Sequence, residues 1–172
     1  MSDFTVKMHR NAVGFASIFF FIIEKEVPGM NLCGEFTHSI DAKNRLFIPA
    51  KYREMLGEKV MIVRDHKNKC LLIYSIEEWE KYAEALFSAI PPSKSRDIKR
   101  FIYRNSLETG YDSQGRVMLT AALCEHAELS KGTAMIVGCG NLAEIWNEEN
   151  YNAKVDSEAP EEYDDLFDKY GV

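Results

Sequence analysis

Asp41-Ala42-Lys43-Asn44-Arg45 and Asp112-Ser113-Gln114-Gly115-Arg116 stand 71 residues apart in a chain of 172 and carry one pattern, Asp-x-x-x-Arg. Each is followed by an apolar triplet, Leu46-Phe47-Ile48 or Val117-Met118-Leu119, then by a helix opening and a β-type run. A pattern that recurs with its flanks marks a duplicated half-domain. The duplication predicts a pseudo-two-fold module with two copies of one small polar apparatus. An apparatus of Asp and Arg points toward anion recognition, because a guanidinium offers forked N–H donors to an oxyanion.

Outward from the first copy, Glu35 to Ile40 alternates polar and apolar, Asp41 to Asn44 breaks the alternation, and Arg45 to Ile48 resumes it. That is strand, tight turn, strand. The fourth turn position is Asn44 in one copy and Gly115 in the other, the residues that most easily take positive φ. Asp41 and Asp112, at the heads of the turns, can accept from backbone N–H groups two or three residues on. This fixes the loop and leaves the Arg projecting from the next strand.

Pro49 at the first helical position and Gly57 just past the end predict a helix of about two turns between them. In the second copy Thr120 is the expected N-cap of a helix over Ala121 to Ala127, with a stop near Lys131-Gly132. Val60–Val63 and Ala134–Val137 read as matched buried strands, and Leu71–Tyr74 matches Leu142–Trp146 in part. Both copies then reach a cap and an acidic turn. Ser75 and Glu78 form a capping box for a helix carrying Trp79, Tyr82, Ala83 and Leu86 on one face. Pro91-Pro92-Ser93 reads as a turn, followed by a helix from Arg96 to Arg104. Its apolar stripe is Ile98, Phe101 and Ile102, and its basic face is Arg96, Lys99, Arg100 and Arg104. After Tyr151 the pattern fails, and no structure is assigned to the middle of the acidic stretch from Asp156 to Asp168.

Apolar residues make up 46% of the chain and aromatics 12%, enough for a core and too much for disorder. The net charge of -6 conceals a division: residues 38–104 hold 14 Lys or Arg against 9 Asp or Glu, whereas residues 105–172 hold 4 against 14. A local basic patch, not the mean, decides polyanion binding. Cysteines at 33, 70, 124 and 139 follow no metal or disulfide spacing, so reduced thiols are expected. No metal or cofactor is expected, and Cys139 reads as a small buried hydrophobe. Near the start, Lys7, His9 and Arg10 precede an apolar run from Ala12 to Ile23. The run suits a signal h-region but falls short of the roughly 20 residues of a membrane span, and no small-x-small cleavage site follows. Export is disfavoured, no membrane partner is expected, and Pro28-Gly29 ends an appendage. Met30 is then the start of the domain and a candidate natural translation start, which mass analysis of protein from the native gene would test.

Taken singly, Asp-x-x-x-Arg can be an ion pair that merely closes a hairpin. Its doubling, together with the family resemblance described next, favours function. A hydrolase using Asp41 or Asp112 with Cys or His would lack a nucleophile elbow, a phosphate-cradling Gly loop and a metal-ligand set. A module that binds a partner protein through apolar and acidic surfaces stays open. His38 reads as a solvent-facing strand residue.

Residues Gly34 to Arg53 resemble the opening of the MraZ family of bacterial transcriptional regulators, and Asp112 to Arg116 with the Gly138 to Trp146 segment resembles its second repeat. The resemblance spans residue 30 to about 152. It implies a mainly β, α+β fold with short helices, the AbrB-like swapped-hairpin double-split β-barrel, built from two internal repeats. It further implies a non-enzymatic, cytoplasmic and nucleoid-associated regulator. Such a protein forms ring-shaped homo-oligomers and binds short direct repeats of double-stranded DNA in the promoter of a cell-division and cell-wall gene cluster. It represses its own operon, and no small-molecule substrate is implied.

The chain divides accordingly into an extension over 1–29, a first repeat with linking helices over 30–104, a second repeat over 105–152 and an acidic tail over 153–172. Arg45 and Arg116 are the expected DNA contacts, with Lys43, Lys51 and Arg53 supplying nearby charge and Asp41, Asp112, Asn44 and Gly115 shaping the turns. Three positions depart from the family pattern: Asn44 where Gly is usual, Thr120 where Pro is usual, and Cys124 in place of the first copy's Arg53. The second copy therefore reads as the weaker one, and Arg45→Ala is expected to cost more binding than Arg116→Ala.

Overall fold

The computed structural model describes residues 30–129, 132–158 and 160–171. The extension over 1–29 and the helix stop at Lys131 lie outside the described residues. Each Asp-x-x-x-Arg turn joins two strands: β1 (Glu35–Ile40) leads to β2 (Arg45–Phe47), and β5 (Ser106–Gly110) leads to β6 (Arg116–Met118). β2 and β6 pair antiparallel with Leu46 opposite Val117, the same position in the two copies. The local two-fold therefore passes between those residues.

Around that axis the hairpins exchange. β1 pairs with β7 (Gly132–Gly138) of the second repeat, Phe36 opposite Ile136. β5 pairs with β3 (Lys59–Arg64) of the first, Leu107 opposite Ile62. Each repeat thus completes the other's sheet. With β4 (Cys70–Ser75) and β8 (Ala143–Asn147), the order is β5-β3-β4-β8-β7-β1-β2-β6. Its two ends, β5 and β6, are joined through the second turn, where the Asp112 N–H donates to the Arg116 carbonyl at 2.8 Å. The sheet comes round almost closed. This is the swapped-hairpin double-split barrel made by two repeats of one chain.

Alternation assigns the faces. Val60, Ile62, Leu71, Ile73, Ala143 and Ile145 fill the barrel with Leu46 and Val117. Met61, Val63, Leu72, Tyr74 and Trp146 point out and are covered in turn. Strands covered on both faces read as unbroken apolar runs, which is why β3 and β4 do. His38 differs from expectation: it is half-buried rather than solvent-facing, and its ring packs 4.9 Å from that of Phe47. Partial burial holds its pKa below the ordinary value. Cys139 also differs, being exposed, because it turns the chain from β7 into β8.

Helix α1 (Ala50–Leu56) starts one residue after Pro49, whose ψ of 138° is extended, so Pro49 is the cap and not the first helical residue. Gly57 ends it at φ 84° as expected. Helix α2 (Ile76–Ser88) is capped by Ser75, whose hydroxyl accepts from the Glu78 N–H at 3.2 Å. It lays Trp79 and Ala83 on the outer face. Helix α3 (Pro92–Arg104) begins at Pro92, where a turn was expected; proline's fixed φ suits a first helical residue, and Pro91 supplies the extended cap. Helix α4 (Ala121–His126) is capped by Thr120 and ends short of Lys131, since Glu128 takes φ 53°. Helix α5 (Glu148–Asp156) is capped by Asn147 and runs past Tyr151. Helix α6 (Pro160–Tyr170) occupies the middle of the acidic stretch, where composition alone predicts no structure. Tyr163, Leu166, Phe167 and Tyr170 repeat there at helical spacing, a signal that the acidic composition masks. Among the described residues no helix is long and apolar enough to cross a membrane.

Tyr52 ties α1 to the barrel. It is 0% exposed, and its hydroxyl donates to the Gly34 carbonyl at 2.8 Å. A Cβ at Gly138 would stand 2.4 Å from that hydroxyl, so the packing requires glycine there. Tyr52→Phe is expected to lower unfolding free energy by about 1 kcal/mol through the lost hydrogen bond. The change should appear as a shifted urea midpoint with unchanged slope.

Candidate nucleic-acid interface

Both turns are built alike. The Asp41 Oδ1 accepts from the N–H groups of Lys43 at 2.8 Å and Arg45 at 3.0 Å, while Oδ2 receives the Arg45 Nε at 2.7 Å and Nη2 at 2.6 Å. In the second turn Asp112 Oδ1 takes Gln114 N–H at 2.9 Å and Arg116 N–H at 3.0 Å, and Oδ2 takes Nε and Nη2 of Arg116, each at 2.8 Å. Asn44 has φ 56° and Gly115 φ 77°, the left-handed turn positions expected of them. One carboxylate therefore fixes both the loop and the plane of its guanidinium, by a forked pair that leaves Nη1 directed away from it.

The turns are also joined to each other. The Leu119 N–H donates to the Asn44 carbonyl at 2.9 Å, and the Ile48 N–H donates to the Gly115 carbonyl at 3.1 Å, a reciprocal pair across the two-fold. Arg45 opposes Met118, and Phe47 opposes Arg116, so these four side chains share the outer face of a two-stranded ribbon while Leu46 and Val117 face inward. Arg116 Nη1 lies 3.6 Å from Asp41 Oδ2, whereas among the described residues Arg45 makes no ion pair with Asp112.

The remaining cations are placed unequally. Lys43 is exposed on the first turn. Lys51 Nζ is 3.5 Å from the Cys33 sulfur, before the start of β1 and so at the opposite end of that strand from Asp41. It is not brought to the turns. Arg53 Nε donates to the Ile48 carbonyl at 3.0 Å, and its guanidinium lies 5.7 Å from the Phe47 ring centre and 5.9 Å from that of Tyr111. A Cβ on Gly115 would come 2.6 Å from the Arg53 Cζ. Arg53 thus lies against the second turn while bonded to Ile48 just after β2, which removes the ground for expecting it to serve the first copy alone. Cys124, its counterpart, is buried in the barrel core. Sequence reading missed Met118, 64% exposed opposite Arg45 and two residues along β6 from Arg116, and Tyr111 under Arg53. Alternation on β6 carries the signal for Met118; Tyr111 gave none.

The carboxylates are held ionised. The Arg45 side chain first, then its backbone N–H, bring Asp41 down to about 2 from the ordinary 3.8, and Arg116 does the same for Asp112. A depressed folded pKa means that the turn's contribution is complete above the ordinary value and is lost as pH falls through about 2. Carbon-detected NMR titration should give Asp41 and Asp112 midpoints near 2. Midpoints at the ordinary value would show that the arginines do not hold them in solution. Among the described residues no group of three or more His, Cys, Asp or Glu converges as a metal site would.

One family profile, described as "MraZ protein, putative antitoxin-like", matches residues 32–101 and again 102–166. Similar proteins carry the name transcriptional regulator MraZ. That of Lactobacillus gasseri is 44% identical over 135 residues, covering 77% of this chain and 92% of the relative. That of Lactobacillus johnsonii is 43% identical over the same shares. That of a Thermoanaerobacter species is 40% identical over 143 residues, 78% of this chain and 98% of the relative.

Proposed function

The chain belongs to the MraZ family, and from that premise we propose that it is a sequence-specific DNA-binding transcriptional regulator working through its paired turns. It acts on short direct repeats in the promoter of a cell-division and cell-wall cluster, as a ring-shaped homo-oligomer at the nucleoid, and represses its own operon. The observation that supports this most is the pair of guanidinium groups, each clamped in one orientation by its own carboxylate, on the outer face of β2 and β6.

A two-stranded ribbon is the width of element that the major groove admits. Arg45 and Arg116, already planar and oriented, can meet guanine O6 and N7 or a phosphate oxygen with little further ordering. Asp41 and Asp112 are turned inward onto their own loops, which keeps carboxylate oxygens off the phosphates. Lys43 and Arg53 add charge beside them. Asp41 and Asp112 are assigned no catalytic role, because each is saturated by donors of its own turn and ionised far below neutrality, which makes it a poor base. Weak single modules sum over repeated sites when several copies are linked.

The test is an electrophoretic shift with the gene's own upstream DNA against a scrambled duplex at two salt concentrations. Preference for the native duplex, with affinity falling as salt rises, is the expected result. No binding to that DNA at low salt would sink the reading.

A further inference from the structure

Two helices of this chain present complementary faces that the described residues leave exposed. On α3, Phe101 is 53% exposed, and the helical wheel sets Lys94, Asp97 and Arg104 nearest to it, with Arg100 at the edge and paired with Asp97. The Arg104 guanidinium lies 5.8 Å from the Phe101 ring centre, so cation and ring form one surface. The opposite side of α3 is spent on the barrel: Ile102 packs against the outer core, and Tyr103 meets Trp79 and Phe87. On α6, Leu166, Phe167 and Tyr170 lie along one side and are 42%, 53% and 58% exposed. Asp164 and Asp168 flank Phe167. One face is an apolar strip with a net positive edge, three cations against Asp97, and the other an apolar strip with a net negative edge, Asp164 and Asp168 against Lys169, which lies over the Tyr170 ring.

We propose that α6 of one copy docks on α3 of the next, burying Phe101 against Leu166 and Phe167 while Arg100 and Arg104 meet Asp164 and Asp168. The occupant is a second copy because the matching sign and the matching apolar strip are both encoded here. A contact between two different patches is heterologous: each docked copy offers a free α3 or a free α6 to another, so the contact propagates until it closes. The inference deepens the assembly proposed above by naming its faces. It does not rest on DNA contact, since both helices are distinct from β2 and β6.

The test uses the full chain and light scattering. Wild type should exceed the monomer mass of 19.7 kDa. Arg100→Glu with Arg104→Glu should fall to the monomer, as should Asp164→Arg with Asp168→Arg. The chain carrying all four substitutions should regain the wild-type mass. Hydrogen exchange adds a check across chains: α6 should be protected in wild type and lose that protection when only α3 is reversed. Wild type at the monomer mass overturns the proposal, including the case where α6 is nevertheless protected by its own chain. Reversals that keep the assembly, a fourfold variant that stays monomeric, or α6 protection unmoved by the α3 reversal also overturn it. An assembly that forms as described but shifts no promoter DNA would refute the DNA reading and leave this one standing.

Discussion

Gly115→Ala is expected to lower the stability of the protein by roughly 2 to 4 kcal/mol, far more than a surface turn substitution ordinarily does. Two costs add. An alanine at φ 77° pays about 1 to 2 kcal/mol for the left-handed conformation. Its Cβ would also stand 2.6 Å from Arg53 Cζ, and that guanidinium cannot swing away without giving up its bond to the Ile48 carbonyl and its place beside Phe47 and Tyr111. The pseudo-symmetric control is Asn44→Gly, which relaxes φ 56° and should be close to neutral or mildly stabilising. In an Arg53→Ala background the second cost disappears, so Gly115→Ala should fall to the conformational part alone. Denaturant melts of the four chains give the cycle. A cost at Gly115 that is the same with and without Arg53 would show that Arg53 does not rest on the second turn.

Why Arg53 escaped a reading by repeats is physical. Repeat logic pairs positions related by sequence offset, which sets Arg53 against Cys124 and assigns it to the first copy. A swapped hairpin instead places each copy's elements against the other's, and Arg53 meets Gly115 through space without any sequence relation. Features set by local chemistry were readable in advance: the positive φ at Asn44 and Gly115, the Asp acceptors, and the caps at Ser75 and Thr120. Features set by partner strands were not. Lys51, three residues beyond Ile48, looks close to the turn in sequence, yet the helix carries its ammonium group toward Cys33. His38 looks polar and solvent-facing until Phe47 folds beneath it. The α6 helix was hidden for another reason, since its carboxylates lower mean hydropathy while its apolar residues keep helical spacing.

Single removal of Arg45 or Arg116 is expected to weaken promoter binding by similar factors, roughly 5- to 150-fold per site for 1 to 3 kcal/mol of lost contact. Removing both should leave only salt-sensitive, sequence-blind association. The equality revises the expectation that the first copy dominates, and the ion-pair geometry tips it slightly the other way. When Arg45 is lost, Asp41 keeps a second cation, Arg116 Nη1 at 3.6 Å. When Arg116 is lost, Asp112 keeps no such neighbour among the described residues, so a bare carboxylate faces the phosphates beside the vacated position. Arg116→Ala should therefore cost at least as much as Arg45→Ala. Lysine variants separate orientation from charge. Lysine keeps the cation but cannot make the forked bond to Asp41 or Asp112 that sets the plane of the head group. If orientation carries recognition, Arg45→Lys and Arg116→Lys should lose most of the preference for the native duplex over a scrambled one, while the slope of affinity against salt stays near that of wild type. Lysine variants that retain full preference would reduce the clamped arginines to simple positive charges.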